Sequence, residues 1–245
     1  MPSPLSRRLA ATSQAAPLLT RAGFCFINAQ TMTERITGNS DLEEGMAALA
    51  ALHPHWQAIV QRTGLPPLRL REGGFTGLCS IIVSQQLSVA SARAVWTRFE
   101  SVFVPLTPER VLAATDDDMR LSGLSRPKQR TLLTLSAALV EKRFAFEALE
   151  RATPEEVHAQ MTAISGIGPW TADVYLLFCL GHRDGFAAGD LAIQEAARQA
   201  FGLAERPKPA ELQAMAEAWR PWRGVAARLL WAYYAILKRR EGINA

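Results

Sequence analysis

Cysteine is scarce in this chain and scattered. Cys25, Cys79 and Cys179 are three in 245 residues, with no Cys-x-x-Cys pair among them. That argues against a disulfide framework, a cysteine zinc site and a four-cysteine iron–sulfur cluster. Histidine is nearly as sparse. His53 and His55 flank a proline, His158 and His182 stand alone, and none has a second ligand at metal-binding spacing. Missing too is any apolar run near the roughly 18 residues of a membrane span, so no membrane role is expected and a cytoplasmic location is the simplest reading. Alternating apolar and polar residues, the mark of half-buried strands, do not recur either.

Acidic residues are absent before Glu34, whereas Arg7, Arg8 and Arg21 lie in that stretch. Residues 1–33 read as a disordered tail or as sequence ahead of a mis-assigned start, with Met32 as the alternative. Their basic, Ser/Ala-containing composition also resembles a weak organelle-targeting segment within residues 1–31. The formal charge of +4 rests largely on them. With those three arginines set aside, 24 basic side chains face 23 acidic ones. Any field for a polyanion must then come from clustering, not bulk charge.

What remains, residues 34–245, reads as helices joined by short turns, and the fold class is all-α. Ser40-Asp41-Leu42-Glu43 has the form of a capping box, and Gly64 a helix stop. Thr107-Pro108 and Thr153-Pro154 place an N-cap beside a proline at the first helical position. A helical pattern from Phe75 to Phe99 breaks at Ser84-Gln85-Gln86-Leu87-Ser88.

Two features carry chemistry. Val157, Met161 and Ile164 make one apolar stripe, and Ala172, Leu176 and Cys179 make another. Between them lies Ile164-Ser165-Gly166-Ile167-Gly168-Pro169-Trp170-Thr171-Ala172, a hairpin at about residues 154–180. Its two glycines permit tight backbone turning, and the start of the second helix offers N–H groups to a phosphate. A plain turn between core helices fits the same spacing. Asp190, 20 positions after Trp170, precedes the helix former Leu191-Ala192-Ile193-Gln194-Glu195. It reads as a helix cap, as a catalytic carboxylate, or as both.

The hairpin string, with Asp184-Gly185-Phe186-Ala187-Ala188-Gly189-Asp190-Leu191 after it, resembles the helix-hairpin-helix DNA glycosylase superfamily in its 3-methyladenine DNA glycosylase II branch. The resemblance runs from about Gly74 to Trp231. It implies a two-lobed helical fold over residues 34–245, with the site in the cleft between the lobes. It also implies base-excision repair, in which an alkylated purine such as 3-methyladenine or 7-methylguanine is flipped from duplex DNA and released. Asp190 matches the catalytic position, and Trp170 and Trp231 match aromatic pocket positions. Tyr175 is a pocket candidate one residue beyond the family's tyrosine position, which Val174 holds. Ala187 stands where many relatives carry proline.

Further roles follow from the same resemblance. Gly166, Ile167, Gly168 and Thr171 would meet the DNA backbone. The carbonyls of Thr162, Ile164 and Ile167 would hold a structural Na+ or K+, with no other cofactor required. Gln86 or Leu87 would enter the minor groove as a wedge, although a polar kink between core helices suits that segment equally. Lys128, in Ser125-Arg126-Pro127-Lys128, is a candidate phosphate contact. Arg220, Arg223 and Lys238-Arg239-Arg240 read as solvated charge. Some relatives carry a lysine nucleophile just before the hairpin Thr-Ala, where this chain has Trp170. Base release without strand cleavage is therefore expected, from a monomer acting on double-stranded DNA, associated with the nucleoid in a bacterium. The alternatives are a glycosylase for oxidised or deaminated bases and a non-catalytic DNA-binding hairpin module.

Overall fold

A computed structural model of the chain describes residues 35–240; the tail at residues 1–33 lies outside the described residues. The described elements are α1 (Asn39–Leu52), α2 (Pro54–Thr63), α3 (Gly74–Ser84), α4 (Val89–Val102), α5 (Pro108–Leu112), α6 (Asp116–Leu121), α7 (Arg126–Val140), α8 (Phe146–Leu149), α9 (Pro154–Thr162), α10 (Pro169–Phe178), α11 (Leu191–Ala200), α12 (Pro209–Ala216), a 3-10 turn (Glu217–Trp219) and α13 (Arg223–Arg240). An isolated bridge between Arg35 and His182 is the sole extended pairing among the described residues. The all-α expectation holds.

Local chemistry sets most of the helix ends. Thr153 Oγ1 accepts from Glu156 N–H at 3.2 Å while Glu156 accepts from Thr153 N–H at 2.8 Å, closing the capping box ahead of Pro154. Thr107 caps α5 without a reciprocal partner, accepting from Arg110 N–H at 3.2 Å. Gly64 ends α2 at φ 62°, a left-handed conformation that glycine adopts freely. The box expected at Ser40–Glu43 is displaced. Asp41 itself reaches back to the N–H groups of Thr37 at 2.6 Å and Gly38 at 3.0 Å, so α1 starts two residues earlier. Those bonds hold the Asp41 carboxyl below its usual range.

Helices α3, α4, α5, α6, α7, α9 and α10 pack as one lobe; α1, α2, α11, α12 and α13 form the other. Their buried side chains run together as one core. Trp56, fully buried on α2, sits edge-on to Trp219 and Phe201 and closes the second lobe. Arg228 of α13 bridges the lobes. It lies 2 % exposed and donates to the Leu177 carbonyl at 2.7 Å and to Gly224 O at 2.9 Å. Burial pulls its guanidinium down to about 10. The carbonyl end of α10 gives this cation a favourable partner.

Candidate active site

The hairpin has the geometry its sequence demands. Val157, Met161 and Ile164 are buried, and the chain turns at Gly166 with φ +92°. A Cβ there would stand 2.0 Å from Thr131 Oγ1 on α7, so the turn packs flat against that helix only without a side chain. Gly168 caps α10 and Pro169 opens it, its missing N–H costing nothing at that position. The N–H groups of Gly166 and Gly168 donate to no acceptor among the described residues.

The segment after α10 is fixed residue by residue. Asp190 N–H donates to Ala187 O at 3.0 Å, and Gln194 Nε2 to Ala188 O at 2.8 Å. Asp190 then caps α11, its Oδ1 accepting from the N–H groups of Ala192 at 2.9 Å and Ile193 at 3.1 Å. Two indoles complete the shell: Trp231 Nε1 donates to Oδ1 at 3.0 Å, and Trp170 Nε1 to Oδ2 at 2.8 Å. Three donors therefore occupy Oδ1 and one occupies Oδ2, which keeps a lone pair for chemistry. Cap and candidate catalyst are one carboxylate.

Asp190, Trp170 and Trp231 line a cleft of about 620 Å³. Helical spacing builds its walls. Thr76, Ser80 and Ser84 come from α3, Val89, Arg93, Trp96 and Glu100 from α4, and Val174 and Phe178 from α10. Phe178 packs on Trp231 with ring centres 5.4 Å apart. The hydroxyls of Ser80 and Ser84 bond the carbonyls of Gly77 and Ile81, each at 2.8 Å. None of the lining residues is a lysine. At the rim stand Leu87, 39 % exposed, and Val89, 85 % exposed.

Comparison with known proteins gives this arrangement a context. Residues 79–223 match the model of the HhH-GPD superfamily base excision DNA repair proteins. The chain belongs to that superfamily. It is 31 % identical over 191 residues to DNA-3-methyladenine glycosylase 1 of Schizosaccharomyces pombe, covering 75 % of this chain and 83 % of the relative. It is 25 % identical over 203 residues to the alkylbase DNA glycosidase-like protein mag2 of the same yeast, covering 79 % and 94 %. Among solved structures, the 3-methyladenine DNA glycosylase Mag1 of that yeast, in complex with abasic DNA, superposes with a TM-score of 0.71 at 30 % identity. The match covers 77 % of this chain and 95 % of Mag1.

Within this HhH-GPD protein, Asp190, Trp170 and Trp231 come together as expected, and their tie through both indole N–H groups was not foreseen. Several expected roles change. Tyr175 is not in the pocket: it is 1 % exposed, and its hydroxyl accepts from Gly74 N–H at 2.8 Å, anchoring the start of α3. Thr171 points into the protein. It is 2 % exposed, its N–H bonds Gly168 O, and its Oγ1 accepts from Gln85 Nε2 at 2.8 Å. The Ile167 N–H is spent on Ile164 O at 3.0 Å and cannot serve a phosphate.

Lys128 is turned inward as well, donating to Val83 O at 2.7 Å and Gln85 O at 2.8 Å, where it neutralises the carbonyl end of α3. Burial lowers its pKa. Lys128 and Thr171 thus grip Gln85 from two helices, and the next two residues project. Gln86 adopts a left-handed φ of +57°, and it and Leu87 are exposed. Arg220 and Arg223 are not simply solvated. Arg223 is 4 % exposed and, with Arg220, binds Asp184. A cleft-facing Thr/Ser row spaced by four in the otherwise apolar α3 was the signal available in the sequence for the polar wall.

Proposed function

We propose that the protein is a monofunctional DNA N-glycosylase that flips alkylated purines, such as 3-methyladenine and 7-methylguanine, out of duplex DNA and hydrolyses their N-glycosidic bond. The product is an abasic site in an uncut strand. The observation that carries this reading is the Asp190 carboxylate, fixed by two helix N–H groups and two indoles at the wall of an aromatic-lined cleft.

An N-alkylated purine is cationic and leaves readily, so little general-acid help is required. As the bond to C1′ breaks, positive charge grows on the sugar. A preorganised carboxylate stabilises that charge where it develops. The free lone pair of Asp190 Oδ2 also orients the water that adds to C1′ and takes its proton. Trp170 and Trp231 offer π faces to a cationic base, an attraction of roughly 1–3 kcal/mol per stacked base. The projecting Gln86–Leu87 turn fills the gap left in the stack. Without an amine in the cleft no Schiff base forms on the sugar, and the strand stays intact.

The N–H groups of Gly166 and Gly168 serve a backbone phosphate. The carbonyls of Thr162 and Ile167 accept no hydrogen bond among the described residues, and that of Ile164 accepts one from Ile167 N–H. Such uncharged, hard oxygen donors fit a monovalent cation, which would add positive charge beside that phosphate. The test is release of free 3-methyladenine and 7-methylguanine from methylated duplex DNA by wild type and Asp190→Asn. Release by wild type alone, leaving alkali-labile but unbroken strands, is expected. Release by both proteins, or strand breaks without alkali, overturns the reading.

A further inference from the structure

We infer that Asp184 is a positioning residue for Asp190, acting through α13; this rests on the catalytic role proposed above. Asp184 begins the segment that Asp190 ends, and it is 7 % exposed. Its Oδ1 accepts from Arg223 Nε at 2.9 Å, and its Oδ2 accepts from Arg223 Nη2 at 2.9 Å and Arg220 Nη1 at 2.5 Å. Two parallel bonds to one guanidinium fix direction as well as distance. The Arg223 backbone N–H also points at Oδ1, at 3.4 Å, so the first turn of α13 docks on this carboxylate.

The preceding residue joins the same contact. Gly224 N–H donates to Arg183 O at 2.6 Å, and a Cβ on Gly224 would stand 2.7 Å from that oxygen. Glu217 holds the outer side, accepting from Arg220 Nε and Arg223 Nη1, each at 2.8 Å.

The same helix carries Trp231, eight residues beyond Arg223 and about 12 Å further along the axis. Trp231 donates to Asp190 Oδ1 at 3.0 Å. Residues 184–190 are thus tied to α13 at both ends, by Asp184 to its first turn and by Asp190 to its third. The helix is a splint across the segment. If its N-terminal tie is lost, α13 can turn or slide, and the Trp231 indole leaves the carboxylate it orients.

The experiment uses the full chain with Asp184→Asn and the milder Arg220→Gln, which keeps the Arg223 fork. Three quantities are measured: single-turnover release of 7-methylguanine, affinity for duplex containing an abasic-site analogue, and the indole NMR signals of Trp170 and Trp231. In Asp184→Asn the rate is expected to fall about 10- to 100-fold, with affinity within about twofold and the Trp231 indole signal displaced. Arg220→Gln should give a smaller change of the same kind. A rate within twofold of wild type with an unmoved Trp231 signal overturns the inference. So does a parallel loss of rate, affinity and melting temperature in both variants, which is the pattern of general unfolding. If wild type releases no base, the functional reading fails, and the Trp231 signal still decides whether Asp184 sets the splint.

Discussion

Two aspartates flank the same indole and have opposite surroundings. Trp170 lies between the cleft of Asp190 and a second cavity of about 750 Å³ lined by Asp173, His158 and Phe186. Asp190 accepts four hydrogen bonds. Asp173 accepts none among the described residues; the His158 imidazole approaches it, with Nε2 at 3.8 Å, and its side chain is 16 % exposed. Burial raises the Asp173 carboxyl to about 7, and Arg223 only partly opposes the rise. The comparison teaches that donors, not depth, make a carboxylate useful as a stabiliser of positive charge. Asp173, half-buried and without a donor among the described residues, is the carboxyl that burial drives toward its neutral form.

The strongest way to break this contrast is to neutralise each aspartate in turn. Asp190→Asn should slow base release by about 10³-fold or more. Asp173→Asn should change it by no more than about threefold. Single-turnover assays on methylated duplex decide, and a larger loss in Asp173→Asn would reverse the assignment of the two groups.

A second test uses stability. For Asp173 the folded pKa, about 7, lies above the unfolded value of 3.8. The folded state holds the proton more tightly, so this group costs nothing below pH 3.8. Its cost grows as pH rises from 3.8 to 7 and is complete above 7. Asp173→Asn should therefore stabilise the protein at pH 8, by on the order of a few kcal/mol. The gain should shrink steadily toward pH 4. Denaturant melts of both proteins across that range check the sign; an Asp173→Asn protein less stable than wild type at pH 8 would show that the fold favours the ionised carboxylate.

Trp231→Phe sharpens the contrast from the side of Asp190. It keeps an aromatic face and removes one donor to Oδ1. A hydrogen bond to a charged group contributes about 1.5–3 kcal/mol, so release should slow at least about tenfold with little change in DNA affinity. Equal losses in rate and affinity would show that Trp231 acts mainly through base stacking, not through its bond to Asp190.

What the sequence made legible follows from the range of the interactions involved. Thr153 with Glu156, and the Gly166–Gly168 turn, are local devices, and they stand where they were read. Asp190 was legible because capping acts over two or three residues and the hairpin gave it a setting. The ties between Trp170, Trp231 and Asp190 span 20 and 41 residues and have no local signature. Tyr175 was misplaced by one helical step, about 100° of rotation, which turns a pocket residue into a core one. Arg223 was read as solvated because a buried guanidinium looks like an exposed one until its carboxylate, 39 residues away, is known.

Lys128 shows the same limit, and its prediction is the smallest. A lysine that met a phosphate would release a counterion, and removing it would flatten the salt dependence of DNA binding by about one unit of slope. Held on Val83 O and Gln85 O, the Lys128 ammonium has two of its three donors committed within the protein and sits away from a direct phosphate contact. Lys128→Met should leave that slope unchanged while costing about 1 kcal/mol of stability through the uncapped end of α3. Because the same ammonium grips the residue before Gln86, the variant should also flip bases less efficiently, by a few-fold, with ground-state affinity for undamaged duplex intact. A flattened salt slope would return Lys128 to the DNA surface and leave Thr171 alone to hold the projecting turn.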